Sequence, residues 1–571
     1  VVAAVILFLA YRRMSQTQPM NSDGASQALQ GWDLLHGNVL LSGWTVSDVS
    51  FYTNEVLLFA IVEAVHGLNA DAVHIVAAIL YTLLVFAVAL VARGTTTGRA
   101  ALARMAVAVA IMLVPASGMG SWVLLGSPDH TGTGVPLLIT WLVLDRGLAR
   151  REGPPRWLPY AVGALLVWGQ LADPLVLFIG ALPLALVGGW RLWRAKLRRP
   201  RQWRGTDALL VLAALGSMLV AHAIVFVIGL AGGFQLHAVP VRLVEPDRIG
   251  ANIQNTIETM SLNFGAYFPD RHGGLAVAMG ALRLLGLLAV IAATAVVVFT
   301  FLRGGSPRVR SSRAIPFPRR ASPSGASPPG SSPRGDSSSG GPSSSGRESS
   351  VYGRDARPGS VVDAVLAIGI VVNLGAFMVS TLPWDLTSAR QVTAILTLGA
   401  ALAGRVFGPQ LAAVRWLPTL VAVMILGYGG EFVARTTERP VAPANAELAS
   451  WLVARNLSYG LGGFWTSNDI TVISGGNVWI APVTGEDRVY GYRWLSHVDW
   501  YDPAAHDARF MIVDRLYPPY GTEQGAKESF GAPTQRHEVG RYTVLVYDHN
   551  LLVGLPAACL PGTAPSMAEC P

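Results

Sequence analysis

The chain has 571 residues, of which 51% are hydrophobic and only 14% charged, with a mean hydropathy of +0.43 and a formal net charge of +8. Soluble domains carry roughly 25% charged residues, so the composition excludes an ordinary soluble protein and points to a polytopic membrane protein. The positive balance does not indicate a nucleic-acid partner, because the arginines fall in short loops between apolar runs.

In chain order, the opening "VVAAVILFLAY" is apolar but shorter than the about 20 residues a spanning helix needs. It is expected to be the outer half of a first span that begins upstream. Further spans are predicted at 72–94, 101–117, 133–147, 157–171, 174–193, 207–232, 276–302, 360–381, 389–407 and 411–434, giving about 11 transmembrane helices. Basic loops recur on one side: "ARGTTTGRAALAR" (92–104), "DRGLARREGPPR" (145–156), "RLWRAKLRRPRQWRG" (191–205), 303–320, and Arg405 with Arg415. The positive-inside rule makes that side cytoplasmic. The segments 12–71, 118–132, 172–173, 233–275, 382–388 and everything after about 435 are then outside.

Residues 303–358 include "SPSGASPPGSSPRGDSSSGGPSSSGRESS", too polar and too rich in Ser, Gly and Pro to bury a core. A disordered cytoplasmic linker is expected there. The chain thus divides into a membrane domain, 1–434, and a C-terminal extracytoplasmic α/β domain, 435–571. In the latter, "NAELASWLVARNL" has helical spacing and predicts a single helix. Strands are predicted at "DITVIS", "NVWIAPV", "ARFMIVD" and "RYTVLVYD". Cys559 and Cys570, the only cysteines, would pair in an oxidising compartment.

The outer loops carry the candidate chemistry. In "SQALQGWDLLHGNVLL", Leu29, Trp32, Leu35 and His36 stand at helical spacing and predict an amphipathic interfacial helix. A second is predicted over 47–68, with Phe51, Val56, Phe59, Ile61 and Val62 opposite Asp48, Asn54, Glu55 and Glu63. Together they would roof a cavity that opens outward. In "GSPDHTGTGVP", Asp129 and His130 precede a helix start near Gly134–Pro136, a setting suited to an anion; Asp129 equally suits a helix cap. Asp385 and Arg390 lie in "STLPWDLTSARQV", where a guanidinium suits bidentate phosphate binding. Asp173, in "LADPL", reads as a turn residue before Pro174. Arg12 and Arg13, on the outer side of the first span, either snorkel or meet a lipid phosphate. The aromatic patch "YGYRWLSHVDWYDP" (490–503) suits carbohydrate stacking or domain packing. No Walker A loop, G-x-S-x-G elbow, C-x-x-C pair or H-x-x-x-H spacing occurs.

These features resemble the GT-C class of integral membrane glycosyltransferases, which use polyprenyl-phosphate sugar donors. The resemblance rests on "NSDGASQALQGWDLLHGN" in the first outer loop, "SPDHTGTG" in the second, "TSARQV" before a late span, and the outer C-terminal domain. It implies a GT-C-like membrane domain in the plasma membrane, transferring a sugar to an envelope glycan, lipid or protein acceptor. Asp23 matches the class's catalytic acid, although Ser22-Asp23-Gly24 departs from the paired acids of many relatives. Arg390, with His130 and Arg12/Arg13, would bind the donor phosphate. Asp129, Asp48 and Glu55 would supply further acidic or acceptor contacts, and a divalent cation (Mg or Mn) held by Asp23 and Asp129 is compatible with the class. The other readings are a transporter or flippase of a lipid-linked glycan and a noncatalytic scaffold for envelope assembly. A flippase would place charges near the bilayer middle, where these spans hold almost none.

Overall fold

A computed structural model describes residues 1–127, 129–198, 204–237, 241–269, 273–303 and 359–558. Both cysteines, and all of the predicted linker except Arg303, lie outside the described residues. The N-terminal part is built on helices α1 (Val2–Ser15), α2 (Ser22–Leu35), α3 (Leu57–His66), α4 (Asp71–Arg93) and α5 (Gly98–Met112). A single turn α6 (Met119–Ser121) precedes α7 (Gly134–Leu148), α8 (Leu158–Ala172), α9 (Leu182–Arg198) and α10 (Arg204–Leu230). Then follow α11 (Ile249–Asn263), α12 (Gly274–Arg303), α13 (Gly359–Met378), α14 (Thr393–Ala412) and α15 (Leu417–Thr436). Each predicted apolar segment is occupied by a helix, and five of these are long and apolar enough to cross a bilayer: Asp71–Arg93, Gly205–Leu230, Gly274–Arg303, Val361–Met378 and Leu386–Ala412.

The bundle core gathers α1, α4, α5, α7 and α14 around Tyr11, Tyr81, Trp141 and Leu398, all buried. At one end of it Arg405, on α14, pairs with Asp145 at 3.0 Å and with Asp363, and donates to Val91 O at 2.8 Å. Arg405 is therefore no free loop charge: its side chain is only 3% exposed.

The two first-loop helices exist, each packed on one side against the rest of the protein, while α3 leaves Leu57, Ile61 and Val65 exposed. Asn21 caps α2 by accepting from Gly24 N at 3.0 Å, and Ser22 to Gln30 are buried except Asp23. Gly31 allows the close approach of α3, since a Cβ there would come 2.6 Å from Phe59 Cβ. On α3 and the π-turn before it (Tyr52–Val56) the predicted polarity is reversed at three positions. Glu55 and Glu63 are buried while Ile61 is exposed. Burial drives the Glu55 carboxyl well above the usual carboxylate range and Glu63 to about 9, a shift that favours the neutral acid and suits it to the interior.

Among the described residues the C-terminal part holds three α-helices rather than one: α16 (Ala446–Ala454), α17 (Phe464–Ile473) and α18 (Glu523–Phe530). "DITVIS", predicted as a strand, ends α17: its apolar residues serve a helix face packed on α2 and on the sheet, so tertiary contact overrides β-propensity. The sheet is β3 (Tyr459–Gly463), β4 (Trp479–Thr484), β5 (Tyr490–Tyr492), β7 (Phe510–Asp514), β8 (Gln535–Val539), β9 (Tyr542–Val546) and β10 (Ala557–Ala558). Its order is β10-β5-β4-β3-β7-β9-β8, with β3 parallel to both β4 and β7. A second, three-stranded sheet joins three distant segments: β1 (Trp44–Val46), β2 (Gln235–Leu236) and β6 (Ser496–His497), in the order β2-β1-β6. One apolar core runs through the first loop and this domain together, including Trp44, Phe59, Phe464, Tyr492, Trp500 and Leu545. The predicted boundary near 435 thus separates chain segments but not cores.

Candidate active site

The site forms where the first loop, the second loop, the turn before α14 and the C-terminal domain meet. Asp23 stands in the first turn of α2, where the helix dipole favours its negative charge. The 3-10 turn Leu386–Val392 carries Arg390 and is capped by Asp385, whose side chain accepts from Thr387 N at 2.8 Å. The loop 233–275, to which the sequence assigns no role, braces this turn: Asn263 on α11 donates to Ala389 O at 2.8 Å. Arg390 Nη1 lies 3.1 Å from Asp23 Oδ2 and 3.6 Å from Asp129 Oδ2. Gln27, one turn along α2 from Asp23, donates to Asp129 Oδ1 at 2.7 Å.

These groups line an open cavity of about 80 Å³ together with Asp48, His130 and Trp494. Arg390 is 26% exposed and Asp23 15%, so the pair is reachable from the cavity. Trp494 and Leu495 come from the C-terminal domain. The β1–β6 pairing matches Thr45 with Ser496, and just beyond it Ser47 and Asp48 share the cavity wall with Trp494 and Leu495. Leu495 has a φ of 47°, a left-handed conformation that is costly for a bulky residue. The surrounding latch of His497 Nε2 to Ser42 O (2.8 Å) and Val498 N to Gly43 O (2.9 Å) holds it there.

Electrostatics separate the acids. Burial and the neighbouring Asp129 charge push the Asp23 carboxyl up to about 6, while Arg390 and His130 pull it down. Asp48, with burial as the main cause, is also raised. Burial alone would lower His130, but the charge and hydrogen bond of Asp173 outweigh it and leave the imidazole raised above its ordinary value. Asp173 is correspondingly held low by His130, Thr133 and Leu175 N in spite of its burial.

Of the residues singled out from sequence, the structure thus brings together Asp23, Asp48, Asp129, His130 and Arg390 around one cavity. Glu55 sits behind it, packed so closely on Gly132 that a side chain there would collide with the carboxyl. Arg12 and Arg13 do not line the cavity; Arg12 pairs with Asp71 at 2.6 Å. The sequence alone does not mark Gln27, Asp173 or Trp494 as site residues. Asp173 has no local signal beyond its turn, and the aromatic patch around Trp494 was visible without its location. Arg390 bridges Asp23 and Asp129, and no cluster of three or more His, Cys, Asp or Glu side chains that could hold a metal occurs among the described residues.

No protein-family model and no curated protein sequence matches this chain. Among solved structures it is similar to the crystal structure of ArnT from Cupriavidus metallidurans bound to undecaprenyl phosphate. The TM-score is 0.52 at 12% identity, covering 95% of this chain and 96% of that one. A weaker likeness, with a TM-score of 0.45 at 12% identity over 90% of this chain and 69% of the other, is to the apo oligosaccharyltransferase of Archaeoglobus fulgidus. The ArnT likeness extends along nearly the whole of both chains and shows a shared fold: a helical bundle joined to a sheet-containing C-terminal region.

Proposed function

We propose that the protein is a membrane glycosyltransferase that moves a sugar from a polyprenyl-phosphate donor to an envelope glycan, lipid or protein acceptor at the outer face of the plasma membrane. The observation that carries this reading is the Asp23–Arg390–Asp129 constellation, which sets carboxylates and a guanidinium side by side in one cavity. The likeness to a fold whose solved example holds undecaprenyl phosphate supports the donor class.

In this mechanism the Asp23 carboxylate accepts the proton of an acceptor hydroxyl as its oxygen bonds to the anomeric carbon. The bond from that carbon to the phosphate oxygen breaks, and the electron pair leaves with the lipid phosphate. Arg390 and His130 meet the charge that collects on the phosphate. The resting ion pair has a consequence for order. A donor phosphate that draws Arg390 towards itself weakens its hold on Asp23, making the carboxylate a stronger base once donor is bound. Trp494 and Asp48 stand where an acceptor enters, an aromatic face and a carboxylate suited to a sugar ring and its hydroxyls. The test is sugar transfer in membranes from a radiolabelled polyprenyl-phosphate donor pool: Asp23→Asn should abolish transfer while the protein accumulates normally. Full transfer by that variant would refute the catalytic assignment.

A further inference from the structure

The two oxygens of Asp173 are used separately. Oδ1 accepts from Leu175 N at 2.8 Å, the bond that makes the turn. Oδ2 accepts from His130 Nδ1 at 2.7 Å and from Thr133 Oγ1 at 2.6 Å. A turn of this kind uses one oxygen, so the second is available for a partner 43 residues away in sequence. An ionised carboxylate only accepts, so Nδ1 carries a proton, and Nε2 is the ring nitrogen left for a ligand. Asp173 is 1% exposed and His130 6%, so the bond is shielded from water.

The imidazole is also held from the backbone and from its side. His130 has a φ of 55° and Phe51 a φ of 51°, both in the left-handed region. Their rings meet edge to face at 5.6 Å between centroids. Two neighbouring residues in that conformation, packed on one another beside a cavity, mark a place where the fold sustains strain to fix a side chain. The charged or titratable groups around His130 are Asp173 at the end of α8, Asp129 on its own loop, Asp23 on α2, Asp48 in the rest of the first loop, and Arg390 before α14, with Glu55 packed on Gly132 of the same loop.

We propose that Asp173 is a positioning residue: it holds His130 with Nδ1–H turned into the protein, so that Nε2–H is offered to the cavity as a second donor, beside Arg390, to the leaving lipid phosphate. A carboxylate behind an imidazole fixes which ring nitrogen faces the ligand and stabilises the ring's positive charge. This rests on the proposed polyprenyl-phosphate chemistry, and it assigns Asp173 a role that its turn does not require.

The test uses the full chain in nanodiscs and two probes, undecaprenyl phosphate and undecaprenol, which differ only in the phosphate. Wild-type protein should prefer the phosphate. Asp173→Asn and His130→Gln should each lose roughly tenfold or more of the affinity for undecaprenyl phosphate, with undecaprenol binding unchanged. The double variant should lose no more than His130→Gln alone, because Asp173 acts through that ring. Additive losses, or an undiminished phosphate preference in Asp173→Asn, overturn the positioning role. If Asp173→Asn loses both lipids because its turn has failed, His130→Gln decides: an undiminished phosphate preference there overturns the inference. A wild-type protein that does not distinguish the two lipids would instead overturn the proposed function.

Discussion

Two arginines in this molecule have nearly the same chemistry and opposite consequences. Arg405 is 3% exposed and bound by Asp145, Asp363 and a backbone carbonyl within the bundle. Arg390 also meets two aspartates, but at 3.1 and 3.6 Å, and it is 26% exposed on the wall of a cavity. The first arrangement closes on itself and ties α14 to α7 and α13. The second leaves donors unused and open to a ligand. Ion pairing alone therefore does not mark a site; spare hydrogen-bonding capacity beside open space does.

That contrast can be broken at either end. The largest expected effect is that of Asp23→Asn, which should cost transfer about 10²–10⁴-fold, the usual contribution of a positioned base, with thermal unfolding unchanged. Arg405→Met should do the reverse. Leaving Asp145 buried without its partner should cost about 3–5 kcal/mol of stability, read as a lowered Tm in detergent, while transfer per folded molecule stays close to wild type. Equal losses of activity in the two variants would erase the distinction.

A smaller effect sharpens the outer site. Transfer should rise with pH through about 6, because the Asp23 carboxyl is raised to that value and must be ionised to accept a proton. Arg390→Gln removes a charge that holds this carboxyl down, so the rising limb should move to higher pH and donor use should weaken. A pH–rate profile on wild type and variant checks both directions, and an unmoved limb would mean that Asp23 is not the titrating base. The smallest effect is expected of Trp494→Ala, a several-fold rise in acceptor KM from the lost aromatic face, with donor KM unaltered. Trp494→Tyr should restore most of it.

Most of the helical framework was legible because a bilayer-spanning segment announces itself through composition over about 20 residues. Asp23, Asp129, His130 and Arg390 were legible as polar residues at the edges of apolar runs, where such groups are few enough to be noticed. Glu55 and Glu63 show the limit of that reading. Their charge suggests the wet face, whereas both side chains are buried, where the neutral acid is favoured. "DITVIS" shows the same limit for apolar residues: its pattern fits a strand, and only the neighbouring α2 and β4 make it a helix.

By itself the sequence determined a membrane chain with polar outer loops and a mixed C-terminal region, since hydropathy and charge spacing act locally along the chain. Tertiary structure alone decided that Asp173 serves His130, that Gln27 serves Asp129, that α11 braces the turn of Arg390, and that Trp494 enters the cavity. Each of these depends on a partner brought from a distant segment, joined in part by the three-stranded β2-β1-β6 sheet. Hydrogen-bond partners at such separations are set by packing, to which local pattern carries no address.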